Sequence, residues 1–175
     1  MLRSANLKLR EAAESDTDFI LKLINQPAWK KYISNHSIRT PDQAREYIET
    51  KLIAMYRHFG FGLWVVESAQ ENLPVGLCGL VKRESLEHID LGFGFLPRYW
   101  GQGFAYEASV LCLQYAFESL KTEKVLAITV PANDRSVKLL ESLGFDYKED
   151  YSHPGDDEVL ALYEIGTQAI AVKNT

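Results

Sequence analysis

The sequence predicts a single domain of the mixed α/β (α+β) class, and three observations carry that expectation. Stretches of period-2 alternation and of helical periodicity follow one another in the order βααβββαβαββ, with most helices set between strands. The chain has 175 residues, and neither an internal repeat nor a Pro/Gly/Ser-rich linker divides it. Apolar residues make up 46% and charged residues 25%, a balance with which a chain of this length builds its own core without disulfide staples or a structural metal.

Each element has a local cause. Leu7-Lys8-Leu9-Arg10 alternates as an opening strand. Ser15 and Asp16 supply N-cap chemistry for a short helix through Phe19, Ile20, Leu23 and Ile24, which ends before Pro27. A second helical piece covers residues 29–33. Thr40 and Pro41 open a longer helix as N-cap and first helical residue; Ala44, Ile48, Leu52, Met55 and Tyr56 form its inner stripe, and Gly60 stops it. Residues 61–67 and 75–82 read as strands joined by the polar turn Ala69-Gln70-Glu71-Asn72, and residues 87–96 complete a meander. Pro97 to Gly103 cannot continue a strand, and a helix follows over 104–119. Residues 125–130 form a β-branched strand, and 133–143 a short helix closed by Gly144 in the C′ position. Strands at 145–151 and 159–164 flank the turn Pro154-Gly155-Asp156. The domain is therefore expected over 1–166, with 167–175 as a frayed tail.

Charge and cysteine usage narrow the function classes. Nineteen Lys and Arg against 24 Asp and Glu give a net charge of −5, which disfavours the basic surface on which non-specific nucleic-acid binding depends. Cys78 and Cys112 lie in apolar surroundings without CxxC or Cys/His ligand spacing, as buried thiols of a reducing compartment do, and no metal site is expected. No apolar run has signal-peptide length, and none approaches the roughly 18 residues of a membrane span. The expectation is a cytoplasmic protein without nucleic-acid or membrane partners.

The informative stretch is Asp90-Leu-Gly-Phe-Gly-Phe-Leu-Pro-Arg-Tyr-Trp-Gly-Gln-Gly-Phe-Ala-Tyr-Glu-Ala108. Alternation puts Ile89, Leu91, Phe93 and Phe95 on one strand face and His88, Asp90, Gly92 and Gly94 on the other. The second face carries almost no side-chain volume beyond Asp90, so a ligand is expected to approach its backbone there. Downstream, Arg98, Gly101 and Gly103 lead directly into a helix. Glycines at such a turn let successive N–H groups converge, and the helix dipole adds positive potential, so the turn suits a phosphate or diphosphate. The alternative is a plain strand–turn–helix connection. No Gly-Lys-Ser/Thr follows, as a Walker loop requires, and the third glycine of a dinucleotide fingerprint is missing.

The run from Asp90 to Ala108 resembles the acyl-CoA-binding motif of the GNAT superfamily of N-acetyltransferases, R/Q-x-x-G-x-G/A, with Arg98, Gly101 and Gly103 in register. Its fuller form, together with Asn133-Asp-Arg-Ser136-Val-Lys-Leu-Leu-Glu-Ser-Leu-Gly-Phe145, is similar to the branch that acetylates ribosomal-protein N-termini at alanine or serine. The resemblance covers nearly the whole chain. It implies a mixed, mostly antiparallel sheet flanked by helices, whose fourth and fifth strands splay apart to admit the pantetheine arm by β-augmentation. Here that opening would separate residues 93–96 from 125–130. The resemblance implies acetyl-CoA as cosubstrate and an amine acceptor, either a protein N-terminus or a small molecule, in a monomer or homodimer. It places the cofactor on Phe93, Gly94, Phe95, Arg98, Gly101, Gln102, Gly103, Phe104, Ala105 and Asn133.

For catalysis, a primary ammonium with a pKa of roughly 10.4 benefits from a base or a water relay at neutral pH. Asp90 is the first candidate, matching an acidic residue of the fourth strand in the resembling branch; Glu67 and His88 are weaker ones. An aspartate near its ordinary pKa of about 3.9 is a poor base and would act through water or by binding the ammonium. The helix tyrosine that serves many family members as general acid is replaced by Leu140. Ser136 matches the branch's serine and heads the inward stripe Ser136, Leu139, Leu140, Leu143, from which it can donate a hydrogen bond to the leaving thiolate. Backbone N–H groups near residues 93–95 would face the oxyanion. Attack is direct, so neither cysteine is needed as a nucleophile; a catalytically silent CoA-binding module is the reading from another class. The acceptor is expected to meet the N-terminal helices, with Trp29, Tyr32, His36 and Tyr56 as aromatic or polar candidates, and the turn at 151–157.

Overall fold

The computed structural model describes residues 1–34 and 38–167; His36 and, of the predicted tail at 167–175, all but Thr167 lie outside the described residues. Eight strands form one sheet: β1 (Leu2–Arg3), β2 (Leu7–Arg10), β3 (Leu63–Ser68), β4 (Leu73–Val81), β5 (Asp90–Phe95), β6 (Lys124–Thr129), β7 (Asp146–Tyr151) and β8 (Leu160–Gly166). Their spatial order is β1-β2-β3-β4-β5-β6-β8-β7, antiparallel throughout except for the parallel pair β5–β6. The mixed, mostly antiparallel sheet flanked by helices is as expected, and β1 is an addition to it. The predicted fourth and fifth strands are β5 and β6. Residues 83–89, read from sequence as partly strand, form a loop before β5.

The helices are α1 (Thr17–Ile24), α2 (Pro27–Tyr32), α3 (Pro41–Tyr47), α4 (Ala54–Phe59), α5 (Phe104–Gln114) and α6 (Asp134–Leu143). A π turn, Ile48–Ile53, joins α3 to α4, so the long helix expected from Thr40 to Gly60 runs through with a local widening. Thr40 caps it through a reciprocal box with Gln43, Pro41 is its first residue, and Gly60 ends it at φ +76°. A second π turn, Tyr115–Ser119, extends α5.

Two helical layers cover the sheet, and side-chain alternation along β5 shows which is which. Cys78 of β4 is the cross-strand neighbour of Phe93, and its Sγ lies 3.7 Å from those of Cys112 and from Ser109 Oγ on α5. Leu91, Phe93 and Phe95 therefore face α5. The opposite face is covered by α2: a Cβ built on Gly94 would stand 2.5 Å from Trp29 Cζ3 and 3.0 Å from Ile33 Cδ1. A core of buried apolar residues runs through both layers, from Leu7, Ile20 and Ile48 to Leu113 and Leu140.

At Gly94 the side-chain-poor face of β5 is thus covered by protein, while Gly92 stays half-buried beside Leu63 and Val81. Gly94 makes room for an indole. Without a Cβ at Gly94, α2 settles directly on the strand, and Trp29 becomes buried core.

Candidate active site

β5 and β6 meet at one bridge, Asp90 opposite Leu126, where the Leu126 N–H donates to Ile89 O over 2.9 Å. Beyond it no pairing joins the two strands. In an antiparallel ladder alternate residues turn their N–H and C=O groups to the same neighbour. The Leu96 N–H donates to Val75 O on the β4 side, so the groups of Phe93 and the N–H of Phe95 point toward β6 instead. The edge that parts from β6 is an extended backbone with unpaired polar groups, which is what an amide-bearing chain needs to add itself as a strand.

The crevice leads to the turn before α5. Pro97–Tyr99 make one 3₁₀ turn, and Gly101 and Gly103 then take φ values of +72° and +83°, in the left-handed region that glycine enters without strain. Gly103 is the N-cap of α5 and offers no side chain to its first-turn N–H groups, leaving those of Phe104 and Ala105 for a ligand. Gln102 Nε2 donates to Arg98 O over 2.7 Å and closes the turn. Nothing stands within 4 Å of a Cβ at either glycine, so the surface there is open. An unpaired strand edge running into a bare helix N-terminus fits the pantetheine arm and diphosphate of CoA.

Arg98 is held sideways. It donates to the Tyr99 hydroxyl, which itself donates to Glu71 Oε2 over 2.8 Å, and its guanidinium lies 3.7 Å from the same carboxylate on the β3–β4 turn. Trp100 closes the end of the crevice: its indole N–H donates to Phe95 O over 2.9 Å. On the far wall, Asn133 caps α6, its Oδ1 accepting from Ser136 N over 3.4 Å, and Ser136 is buried in the first helical turn. Leu140, in the place of the common tyrosine, is core.

Asp90 sits at the fork itself, only 1% exposed, and its Oδ1 accepts from Arg83 Nε over 2.9 Å. Burial pushes its carboxyl up to about 6, against the pull of the Arg83 charge and hydrogen bond. It is therefore a much better proton acceptor at neutral pH than an ordinary aspartate. The two weaker candidates differ. Glu67 is bound to Arg10 at 2.6 Å and to Lys8 at 3.0 Å; burial raises its carboxyl, but those two bonds outweigh it and leave it below the usual range. It belongs to the β2–β3 ion network with Asp16. His88 is half-buried in the loop before β5, 4.0 Å from Glu87. Arg83, Trp100, Glu71 and Arg135 were not singled out from sequence; Arg83 lies in a loop with no periodicity to mark it. Among the described residues, no group of three or more His, Cys, Asp or Glu side chains could hold a metal, and no helix is long and apolar enough to cross a membrane.

The family model described as the acetyltransferase (GNAT) domain matches residues 6–146. The chain belongs to the GNAT acetyltransferase family. It is 30% identical over 145 residues to the protein YkkB of Bacillus subtilis (strain 168), a match covering 82% of each chain. It is also 30% identical over 96 residues to the [ribosomal protein uS5]-alanine N-acetyltransferase of Escherichia coli (strain K12), covering 53% of this chain and 49% of that one. The crystal structure of a GNAT-family acetyltransferase from Bacillus anthracis superposes with a TM-score of 0.81 at 22% identity, over 95% of this chain and 98% of that one. GNAT enzymes use acetyl-CoA as cosubstrate and an amine as acceptor.

Proposed function

We propose that this GNAT acetyltransferase acylates the α-amino group of a polypeptide N-terminus by direct attack, without an acyl-enzyme. The observation that carries the cosubstrate half is the single bridge between β5 and β6 with the unpaired edge of Phe93 beyond it. A polypeptide acceptor is supported by the similarity to the uS5-alanine enzyme and by the Asn133-x-x-Ser136 helix start of the ribosomal-protein branch.

The chain's own groups divide the work. Acetyl-CoA would supply the activated acyl carbon, its C–S bond breaking as the amide C–N bond forms, so that CoA leaves as the thiolate. The Asp90 carboxylate, buried at the fork and raised to about 6, takes up through water the proton that the ammonium must lose. Arg83 keeps that carboxyl from rising further and fixes its rotamer. The backbone N–H groups of the open β5 edge orient the carbonyl to be attacked and stabilise its developing charge. Ser136 donates a hydrogen bond to the departing sulfur, and Asn133 holds the first turn that presents it. Gly101, Gln102, Gly103, Phe104 and Ala105 hold the diphosphate with backbone amides.

Free-CoA release measured with acetyl-CoA and an acceptor panel tests the assignment. Peptides beginning with alanine or serine should release CoA, and the same peptides with blocked N-termini should not. Release with spermidine or free amino acids alone would give the acceptor to small amines. Acetyl-CoA binding with no turnover across the panel would leave a binding module.

A further inference from the structure

The amide-rich turn before α5 lacks an obvious side-chain cation. Arg98, the motif's arginine, is engaged by its neighbour Tyr99 and by Glu71 of the β3–β4 turn. A different arginine reaches the turn from the opposite wall. Arg135, in the first turn of α6, lays its guanidinium 4.3 Å from the centre of the Trp100 ring. Trp100 is half-buried and pinned by its N–H to Phe95 O, so it is a fixed platform. Arg135 is otherwise exposed, and among the described residues no carboxylate pairs with it.

We infer that Arg135, ordered on the Trp100 indole, is the side-chain cation that binds the diphosphate of the CoA cosubstrate, in place of Arg98. This rests on the cosubstrate assignment made above. A guanidinium stacked on a ring keeps its in-plane N–H groups free, and it loses little freedom when it then meets a phosphate. The stack also spans the crevice mouth, joining the β5–α5 connection to the start of α6. A bound diphosphate on the turn would be held between backbone amides on one wall and Arg135 on the other, so ligand binding would pull the two walls together.

Isothermal titration of the full-length chain with CoA, 3′-dephospho-CoA and pantetheine tests this on wild type, R135Q, R98Q and W100F. R135Q should weaken CoA and 3′-dephospho-CoA alike by about tenfold or more, as loss of a charge-assisted hydrogen bond does, and should leave pantetheine affinity unchanged. R98Q should cost clearly less. W100F keeps a ring face but loses the indole N–H; it should reduce the contribution of Arg135, so that R135Q costs less in the W100F background. Unchanged CoA affinity in folded R135Q, or a larger loss in R98Q, overturns the inference. A penalty that vanishes with 3′-dephospho-CoA also overturns it, moving Arg135 to the 3′-phosphate. Failure of the wild-type chain to bind CoA at all would instead defeat the cosubstrate assignment.

Discussion

Arg83 Nε donates to Asp90 Oδ1 over 2.9 Å at the fork where β5 and β6 part, pairing a partly exposed cation with a buried carboxylate. Burial dominates: the carboxyl stands at about 6 despite the arginine. If Asp90 accepts the acceptor's proton, kcat should fall as pH drops through about 6. R83Q removes the group that favours the carboxylate, so the limb should move to higher pH, and D90N should abolish it along with most of kcat. A pH–rate series on the three proteins checks the order. The same shift has a stability sign. The folded carboxyl is raised above its unfolded value of about 3.9, so its contribution is fully present below pH 4 and is lost as pH rises through about 6. Urea titrations of wild type and D90N at pH 4 and pH 7 should show the wild type losing stability relative to D90N over that window.

Gly94 and Trp29 make the second prediction. A methyl at Gly94 would stand 2.5 Å from the indole and 3.0 Å from Ile33, so G94A must displace α2. Overpacking of this kind costs about 1–3 kcal/mol. Denaturant melts should show that loss in G94A and a substantial recovery in G94A/W29L, since leucine vacates the contact. Independent, additive effects would mean that the glycine serves something other than the indole.

This pair also explains what sequence could reach and what it could not. Alternation sorted Asp90, Gly92 and Gly94 onto one face of β5, and that sorting is intact. What lies over the face depends on where α2 docks, a contact between residues far apart in the chain, and periodicity carries no information about it. The open edge was legible through the resemblance, because the single bridge follows from the family's topology. The turn glycines were legible from physics alone, since Gly101 and Gly103 do adopt the left-handed conformation that their position demanded. Arg83 was not, because its partner is set by a loop return. Neither was the raised carboxyl of Asp90, because burial is a property of the packed layers. β1 is a pair of residues, too short for alternation to show.

The third prediction uses the empty space at the α5 cap. Nothing lies within 4 Å of a Cβ at Gly103, so a larger residue meets no clash, and only its φ of +83° is unfavourable. That strain costs about 1–2 kcal/mol, which should leave G103E folded. The new carboxylate would project where the diphosphate is proposed to bind, so titration should show CoA affinity lost from a folded protein. A folded G103E with wild-type affinity would mean that the diphosphate lies elsewhere.

Asn133 and Ser136 share one turn but should separate by readout. Asn133 Oδ1 accepts from Ser136 N, so N133A should lose about 1 kcal/mol of stability as an N-cap deletion does, whereas N133D keeps the acceptor and the cap. S136A leaves that backbone bond in place. It should lower kcat with little change in melting temperature or CoA affinity, because only the hydroxyl offered to the thiolate is gone. If S136A matches wild type in kcat, the leaving group departs without help from α6.

The two thiols supply the last prediction. Cys78 and Cys112 are fully buried with their sulfurs 3.7 Å apart, and burial together with the neighbouring thiol pushes Cys112 well above its ordinary value. A thiol is nucleophilic as the thiolate, so Cys112 is poorly suited to accept an acyl group; Cys78 is closed off by burial, and direct attack by the amine needs neither. Alkylating reagents should therefore label the native protein slowly and the unfolded protein at once, and intact-mass spectra after incubation with acetyl-CoA should show no acetyl adduct on either cysteine. C112A should retain kcat while losing some stability from the small cavity beside Cys78. An acetylated cysteine that turns over on addition of acceptor would replace direct transfer with a two-step route.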